Sequence, residues 1–358
     1  EPESWDYWWP SAYVPATYQI PAPEKVRNPE GLKGKRPIKY FTWGAIDCKD
    51  TKMPDYQLVD WVKYELSRKR DKPLFMAAGF IKPHIPWEVP RKYFDMYPLD
   101  SIPDLEITTD DLADTFDHGR RSWHKFVMQN KSWKEIIRAY MACISFTDAQ
   151  IGRLLDVIEA SPYNENTIIV LWSDHGMHIG EKENWEKFTL WEESTRVPLM
   201  FCVPGMTKAG TVSETAVSLI DIFPTLAELV GKSAPDNCDG HSLVPLLKGQ
   251  KVKHPAAITA YKFQAPANGR GYAVRTDKYR YIYYPEAGFE ELYDHEQDPN
   301  EFVNIAYKKE LKDIVAEHRA ILKERVSGLK WSNEFPKDYT ISNDGLIRKN
   351  DFSSLKWD

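Results

Sequence analysis

Residues 167–176 read TIIVLWSDHG, an apolar, partly β-branched run of strand length that stops abruptly at Ser, Asp, His and Gly. The turn-forming stretch SPYNEN, residues 161–166, precedes it. A short apolar run bounded by turn residues is the pattern of a strand buried on both faces. Asp174 and His175 then fall at the strand's carboxyl end, where sheets flanked by helices place their binding groups.

The neighbouring segments repeat this pattern. Upstream, Ile137, Met141, Ile144, Ile151, Leu155 and Ile158 recur at helical spacing through residues 134–160 and predict a long amphipathic helix. Earlier still, QLVDWVKYELSRKR at 57–70 reads as a helix, and PLFMAAGF at 73–80 as a second apolar strand. Downstream, VPLMFCVPG at 197–205 repeats the strand-and-stop pattern, and SLIDIFPTLAELV at 218–230 predicts a helix broken or kinked at Pro224. Helices alternating with apolar strands predict an α/β fold with a mixed, largely parallel sheet flanked by helices.

Past Gly249 the texture changes. AITAY, GYAVRTD, YRYIYY and EELYD are short, aromatic and partly alternating, and a charged amphipathic helix is predicted over 308–326. These features predict a smaller C-terminal antiparallel sheet plus helix. The expected division is a catalytic α/β part over 1–249 and an antiparallel-sheet subdomain over 250–358. Between them in character, the polar stretch 101–131 reads as a surface loop, with His118, Arg120, Arg121 and His124 as a basic cluster.

Composition bounds the function. The chain has 358 residues, 42% hydrophobic and 28% charged, which suits a globular protein with a sizeable core. A net charge of -6 argues against a general nucleic-acid binder, whose surface must neutralise phosphates. No apolar run reaches the roughly 18 to 20 residues of a membrane span, and the first residues, EPESWDYWWP, lack a signal-peptide pattern. Cys48, Cys143, Cys202 and Cys238 are widely spaced, so neither a zinc site nor a disulfide scaffold is indicated.

The chemistry concentrates at two strand ends. A carboxylate at Asp174 suits a hard cation such as calcium or magnesium, while His175 alone would point to zinc. Lys187 supplies a positive charge for a bound anion. The same residues also fit a plain turn, with Asp174 bonding backbone amides and Lys187 solvated. A second constellation, IKPHIPWEVP at 81–90, presents Lys82 and His84 from a backbone stiffened by Pro83 and Pro86. Two strand ends that each deliver a His and a Lys favour an anion site with a general acid, since His protonates a leaving oxygen near neutral pH. His178 stands beside this set. Trp185 and Trp191 flank Lys187 and read chiefly as packing.

Taken together, GFIKPHIPWEVPRKYFDMYP, SFTDAQIGRLLDVIE, the run from TIIVLWSDHG to CVPG and the tail ELYDHEQDPNEFVNIA resemble the type I sulfatases of the alkaline phosphatase superfamily, nearest to the iduronate and bacterial polysaccharide sulfatases. The resemblance implies removal of sulfate from a sulfated carbohydrate, calcium (or magnesium) as cofactor, and a periplasmic or secreted location. It makes Asp174 a metal ligand and His175 a metal ligand or sulfate contact. Lys187 binds the sulfate and bridging oxygen, and His84 donates a proton to the leaving group. Beside these, the residue pattern itself makes Lys82 a candidate substrate contact, and His178 either reaches substrate or is a loop residue. The family attacks with a formylglycine made from a Cys-x-Pro-Ser-Arg motif. None of the four cysteines stands in that context, and Cys202, the nearest, has Gly205 and Met206 where Ser and Arg belong. The nucleophile is therefore expected on an N-terminal fragment with which this chain folds, and the chain alone is expected to be inactive. Other readings are a phosphodiesterase or phosphonate hydrolase of the same superfamily and a non-catalytic binder of sulfated glycans.

Overall fold

A computed structural model describes residues 41–104, 106, 108, 110–116, 122–263, 269–332 and 334–350. The chain forms two compact units, Glu1–Leu105 with Ser122–Thr167, and Glu106–Arg121 with Ile168–Asp358. This partition does not cut at Gly249: the strands that follow residue 168 cluster with the C-terminal sheet.

In the first unit, β1 (Trp43–Ile46) and β2 (Trp87–Pro90) pair in parallel. They carry α1 (Pro54–Ser67), the one-turn α2 (Arg91–Phe94), α3 (Ser122–Gln129) and the long α4 (Trp133–Glu159). Pro54 opens α1 at a position whose N–H has no intrahelical acceptor, so proline costs nothing there. Leu58, Val62 and Leu66 project from one stripe of α1 and pack against Leu154, Val157 and Ile158 of α4. An aromatic cluster, Phe41, Trp43, Trp87 and Trp123, fills the space beside the parallel strands.

Residues 73–80, expected as a buried strand, run extended without a ladder partner among the described residues. The period-2 logic survives: Leu74, Met76, Ala78 and Phe80 pack on the α1–α4 cluster while alternate residues, including Phe75 at 71% exposure, face outward. The pattern therefore specifies an extended segment with one apolar face packed. Parallel pairing is confined, among the described residues, to β1 and β2.

In the second unit, β3 (Ile169–Trp172) pairs antiparallel with β4 (Leu199–Cys202), and α5 (Glu192–Thr195) lies between them in sequence. The segment around Pro224 is a 3-10 turn followed by α6 (Ile222–Leu229), so the proline sits in the helix's first turn instead of kinking its middle. The short α7 (Val244–Leu247) leads into a four-stranded antiparallel meander, β5 (Ala257–Phe263), β6 (Gly269–Arg275), β7 (Tyr279–Tyr284) and β8 (Phe289–Asp294). The helix α8 (Lys312–Arg325) and a hairpin of β9 (Tyr339–Ile341) and β10 (Ile347–Lys349) follow.

The expected antiparallel sheet with a C-terminal helix is thus present, and strand alternation explains its two cores. On one face, Tyr272, Val274, Tyr281, Tyr283 and Leu292 pack with Val315 and Leu322 of α8. On the other, Phe263, Ala273, Ile282, Tyr284 and Phe289 pack with Leu190 and Trp191. The loop that carries Lys187 is therefore seated on this sheet. A Cβ on Gly271 would stand 2.5 Å from Leu190 Cδ1, so only glycine lets the loop settle so closely.

Candidate functional site

The candidate residues fall in the two units, and each group is described in its own surroundings. In the first unit, Lys82 and His84 share the loop that enters β2. Lys82 is nearly buried, and its ammonium donates to the carbonyl of Pro86. In this structure the amine ties its own loop. His84 is exposed, and its Nδ1 donates to the Ile85 carbonyl at 2.7 Å, which makes Nε2 the nitrogen on which a transferable proton would sit.

In the second unit, Asp174 and His175 turn the chain out of β3. The Asp174 side chain is 83% exposed, and its Oδ1 accepts from the His175 amide at 3.1 Å. His175 Nδ1 lies 2.8 Å from the Gly176 carbonyl, so Nδ1 carries the proton. Nε2 faces Asp174 Oδ2 at 3.5 Å. A ring lone pair opposite a carboxylate oxygen repels it unless something positive intervenes, a proton on the ring or a cation between the two. The donor pair is thus chemically fit to supply part of the shell of a divalent metal, although calcium prefers six or more oxygen ligands.

Gly176 follows under tight restraint. Its amide donates to the Ser194 carbonyl, and an added Cβ would lie 2.0 Å from the Glu193 carbonyl oxygen. Gly176→Ala is expected to cost about 1–3 kcal/mol, as overpacking does, and denaturant unfolding of the variant checks this. Beyond it, the backbone enters the left-handed region at Gly180, Lys182, Glu183 and Phe188. Phe188 at φ 75 is the costly one, since a bulky residue there is held only by surrounding structure. That structure is visible: Trp185, Leu190 and Trp191 are all fully or almost fully buried, as expected for packing tryptophans, and they leave the half-buried Lys187 between them. The Lys187 ammonium lies 5.4 Å from the Phe188 ring centroid.

His178 is fully buried, with Nε2 2.8 Å from Thr189 Oγ1 and its ring edge-on to Trp191. Here the imidazole staples the loop from within. Burial pushes its pKa down to about 4. The folded state therefore rejects a proton that the unfolded chain accepts near 6.5. Its contribution is complete above that pH and is lost as pH falls toward 4, about 3 kcal/mol in all. In His178→Gln, the stability-versus-pH curve is expected to lose that one-proton slope relative to wild type, read from unfolding midpoints between pH 7 and 4.

Charges invisible to local sequence patterns hold the loop to the sheet. Lys182 is buried, ion-paired with Asp111 at 2.6 Å, and its ammonium donates to the Glu301 carbonyl. Glu192 meets Arg280, Arg275 and His295. Burial pushes the Glu192 carboxyl up, but the Arg280 and Arg275 guanidiniums win and bring it to about 2. The ligand atoms of Glu192, His295 and Glu301 lie within 4.8 Å of one another, a spacing that could hold a metal. Arg280 is ion-paired to both carboxylates, so the protein supplies that cation itself. Of the anticipated basic cluster, His118, Arg120 and Arg121 lie outside the described residues, and His124 is buried in α3. No helix among the described residues is long and apolar enough to cross a membrane.

Comparison with known proteins bears on this arrangement. Residues 8–232 match the model of the sulfatase family, and residues 180–328 match that of the N-sulphoglucosamine sulphohydrolase C-terminal region. A sulfatase from Formosa agariphila is 41% identical over 84% of this chain and 58% of its own length. A Δ4,5-hexuronate-2-O-sulfatase from Bacteroides thetaiotaomicron is 30% identical over 58% of this chain and 45% of its own length. Among solved structures, the phosphonate monoester hydrolase of Agrobacterium radiobacter shares the fold, with a TM-score of 0.68 at 20% identity, covering 91% of this chain and 70% of that one. The chain spans roughly half the length of the curated relatives it matches. The family match reaches from before β1 past Lys187 and takes in both strand-end constellations, and on it the chain belongs to the sulfatase family.

Proposed function

We propose that this chain carries the sulfate-binding and leaving-group residues of a sulfuric ester hydrolase acting on sulfated carbohydrate, with the nucleophile supplied by the remainder of the protein. The observation that supports it most is the match to the sulfatase family across residues 8–232, which contain Lys187, Asp174, His175 and His84. The names of the relatives, one of them a hexuronate-2-O-sulfatase, support the carbohydrate class.

Sulfuryl transfer, like phosphoryl transfer, asks a protein chiefly to position groups and stabilise charge. Under this proposal Lys187 donates to the sulfate and to the bridging oxygen as the S–O bond lengthens. His84 gives the proton on Nε2 to the departing sugar oxygen. Asp174 and His175 would hold a divalent metal, calcium in preference to magnesium, whose charge offsets that of the sulfate oxygens. His175 is directed there by its Nδ1–H bond to Gly176. Incubating the full-length protein with a panel of sulfated glycans tests the reading: inorganic sulfate and a product lighter by one sulfuryl group are expected, and binding of those glycans without sulfate release would favour a non-catalytic relative.

A further inference from the structure

Asp55 lies in the first turn of α1, where a carboxylate ordinarily serves the free N–H groups of its own helix. Here it does something else. The residue is 3% exposed, and both of its oxygens are spent on a segment 26 and 27 residues away: Oδ1 accepts from the Ile81 amide and Oδ2 from the Lys82 amide, each at 3.0 Å. Two successive amides on one carboxylate fix the direction of the intervening peptide as well as its place.

From that anchor the contacts run directly to His84. The His84 amide donates to the Ile81 carbonyl at 2.9 Å. The Trp87 indole donates to the Pro83 carbonyl at 2.7 Å, and the Lys82 ammonium to that of Pro86. The loop is thus tied at its entrance by Asp55, across its middle by Trp87 and at its exit by Lys82. The platform beneath is firm, because α1 is packed along its length on α4. Burial raises the Asp55 carboxyl against the two amides that favour its charge. Without this carboxylate the Ile81 and Lys82 amides would lose their acceptor, so the Asp55 side chain and the loop backbone depend on each other.

We propose that Asp55 is a positioning residue for the leaving-group acid: by fixing the Ile81–Lys82 backbone it sets where His84 presents Nε2. The proposal rests on the reading of this protein as a sulfatase in which His84 protonates the departing oxygen. A purely structural Asp55 would affect all substrates alike, whereas a positioning residue matters only where a proton must be delivered. The test therefore compares two esters in the full-length protein, an alkyl sulfate of a sugar, whose alkoxide leaves poorly, and 4-nitrophenyl sulfate, whose phenolate leaves unaided.

Asp55→Asn keeps the side-chain shape and one acceptor. It is expected to lower kcat on the sugar sulfate by about 100-fold, the penalty typical of a misplaced catalytic group, with KM and the nitrophenyl rate little changed. In a His84→Ala background the substitution should then cost nothing further, because its effect passes through that ring. Amide hydrogen exchange supplies a readout independent of turnover: Ile81 and Lys82 should be protected in wild type and should exchange faster in the variant. Equal losses on both esters, additive losses with His84→Ala, or unprotected amides in wild type would each overturn the proposal. A wild type that releases no sulfate from either ester would sink the sulfatase reading instead, and the exchange data would still decide whether Asp55 holds the loop.

Discussion

Lys187→Ala in the full-length protein is expected to lower kcat for sulfate ester hydrolysis by about 100- to 1,000-fold, the range seen when a group that stabilises developing charge is removed. The fold should survive. Lys187 is half-buried, while its neighbours Trp185, Leu190 and Trp191 carry the packing, so the loop keeps its anchors without the ammonium. Lys187→Arg should restore only part of the rate, because a planar fork does not place its charge where a compact ammonium does. Initial rates measured alongside unfolding midpoints separate the effects: a large rate loss at unchanged stability supports the assigned role, and an unchanged kcat removes Lys187 from the chemistry.

The second large effect concerns stability. Arg280 is 2% exposed, ion-paired with Glu192 and Glu301, and donates to the Leu190 carbonyl at 3.1 Å. Its removal would take from Glu301 its guanidinium partner, leave Glu192 with Arg275 and His295, and cut the tie between β7 and the Lys187 loop. Arg280→Ala is expected to destabilise the protein by about 3–5 kcal/mol, as breaking one side of a buried ion pair does. Urea unfolding measures this directly, and a loss below about 1 kcal/mol, the range of exposed pairs, would show that the network is solvated. The same variant should lose activity through the loop, with the deficit growing as temperature approaches the lowered midpoint.

Much of the fold could be read from local periodicity because the forces involved are local. The alternation in β5 to β8 repeats at the period of the strands that bury it, and the α4 helix is present as expected, although of the stripe read for it Ile137 is buried while Ile144 and Leu155 are exposed. Residues 73–80 were harder: an apolar run specifies an extended backbone, whereas a strand also needs a partner, which no run of residues encodes. At the site, the exposed Asp174 and His84 carry recognisable signals, since glycine and proline frame them. His178 does not: five positions from Ser173 in a polar loop, nothing in its neighbourhood marks it as fully buried. The partners of Asp55 lie 26 and 27 residues away and those of Glu192 lie 83 to 109 residues away. Such links arise from tertiary packing, and only the folded chain brings them together.

The same fold serves a phosphonate monoester hydrolase, so the identity of the ester is the point on which the account turns. The most direct measurement is therefore a side-by-side determination of kcat/KM by the full-length protein for a sulfate monoester and a phosphonate monoester of the same alcohol. Efficient release of inorganic sulfate and a markedly smaller value for the phosphonate are expected. Turnover of the phosphonate with no release of sulfate would contradict this expectation.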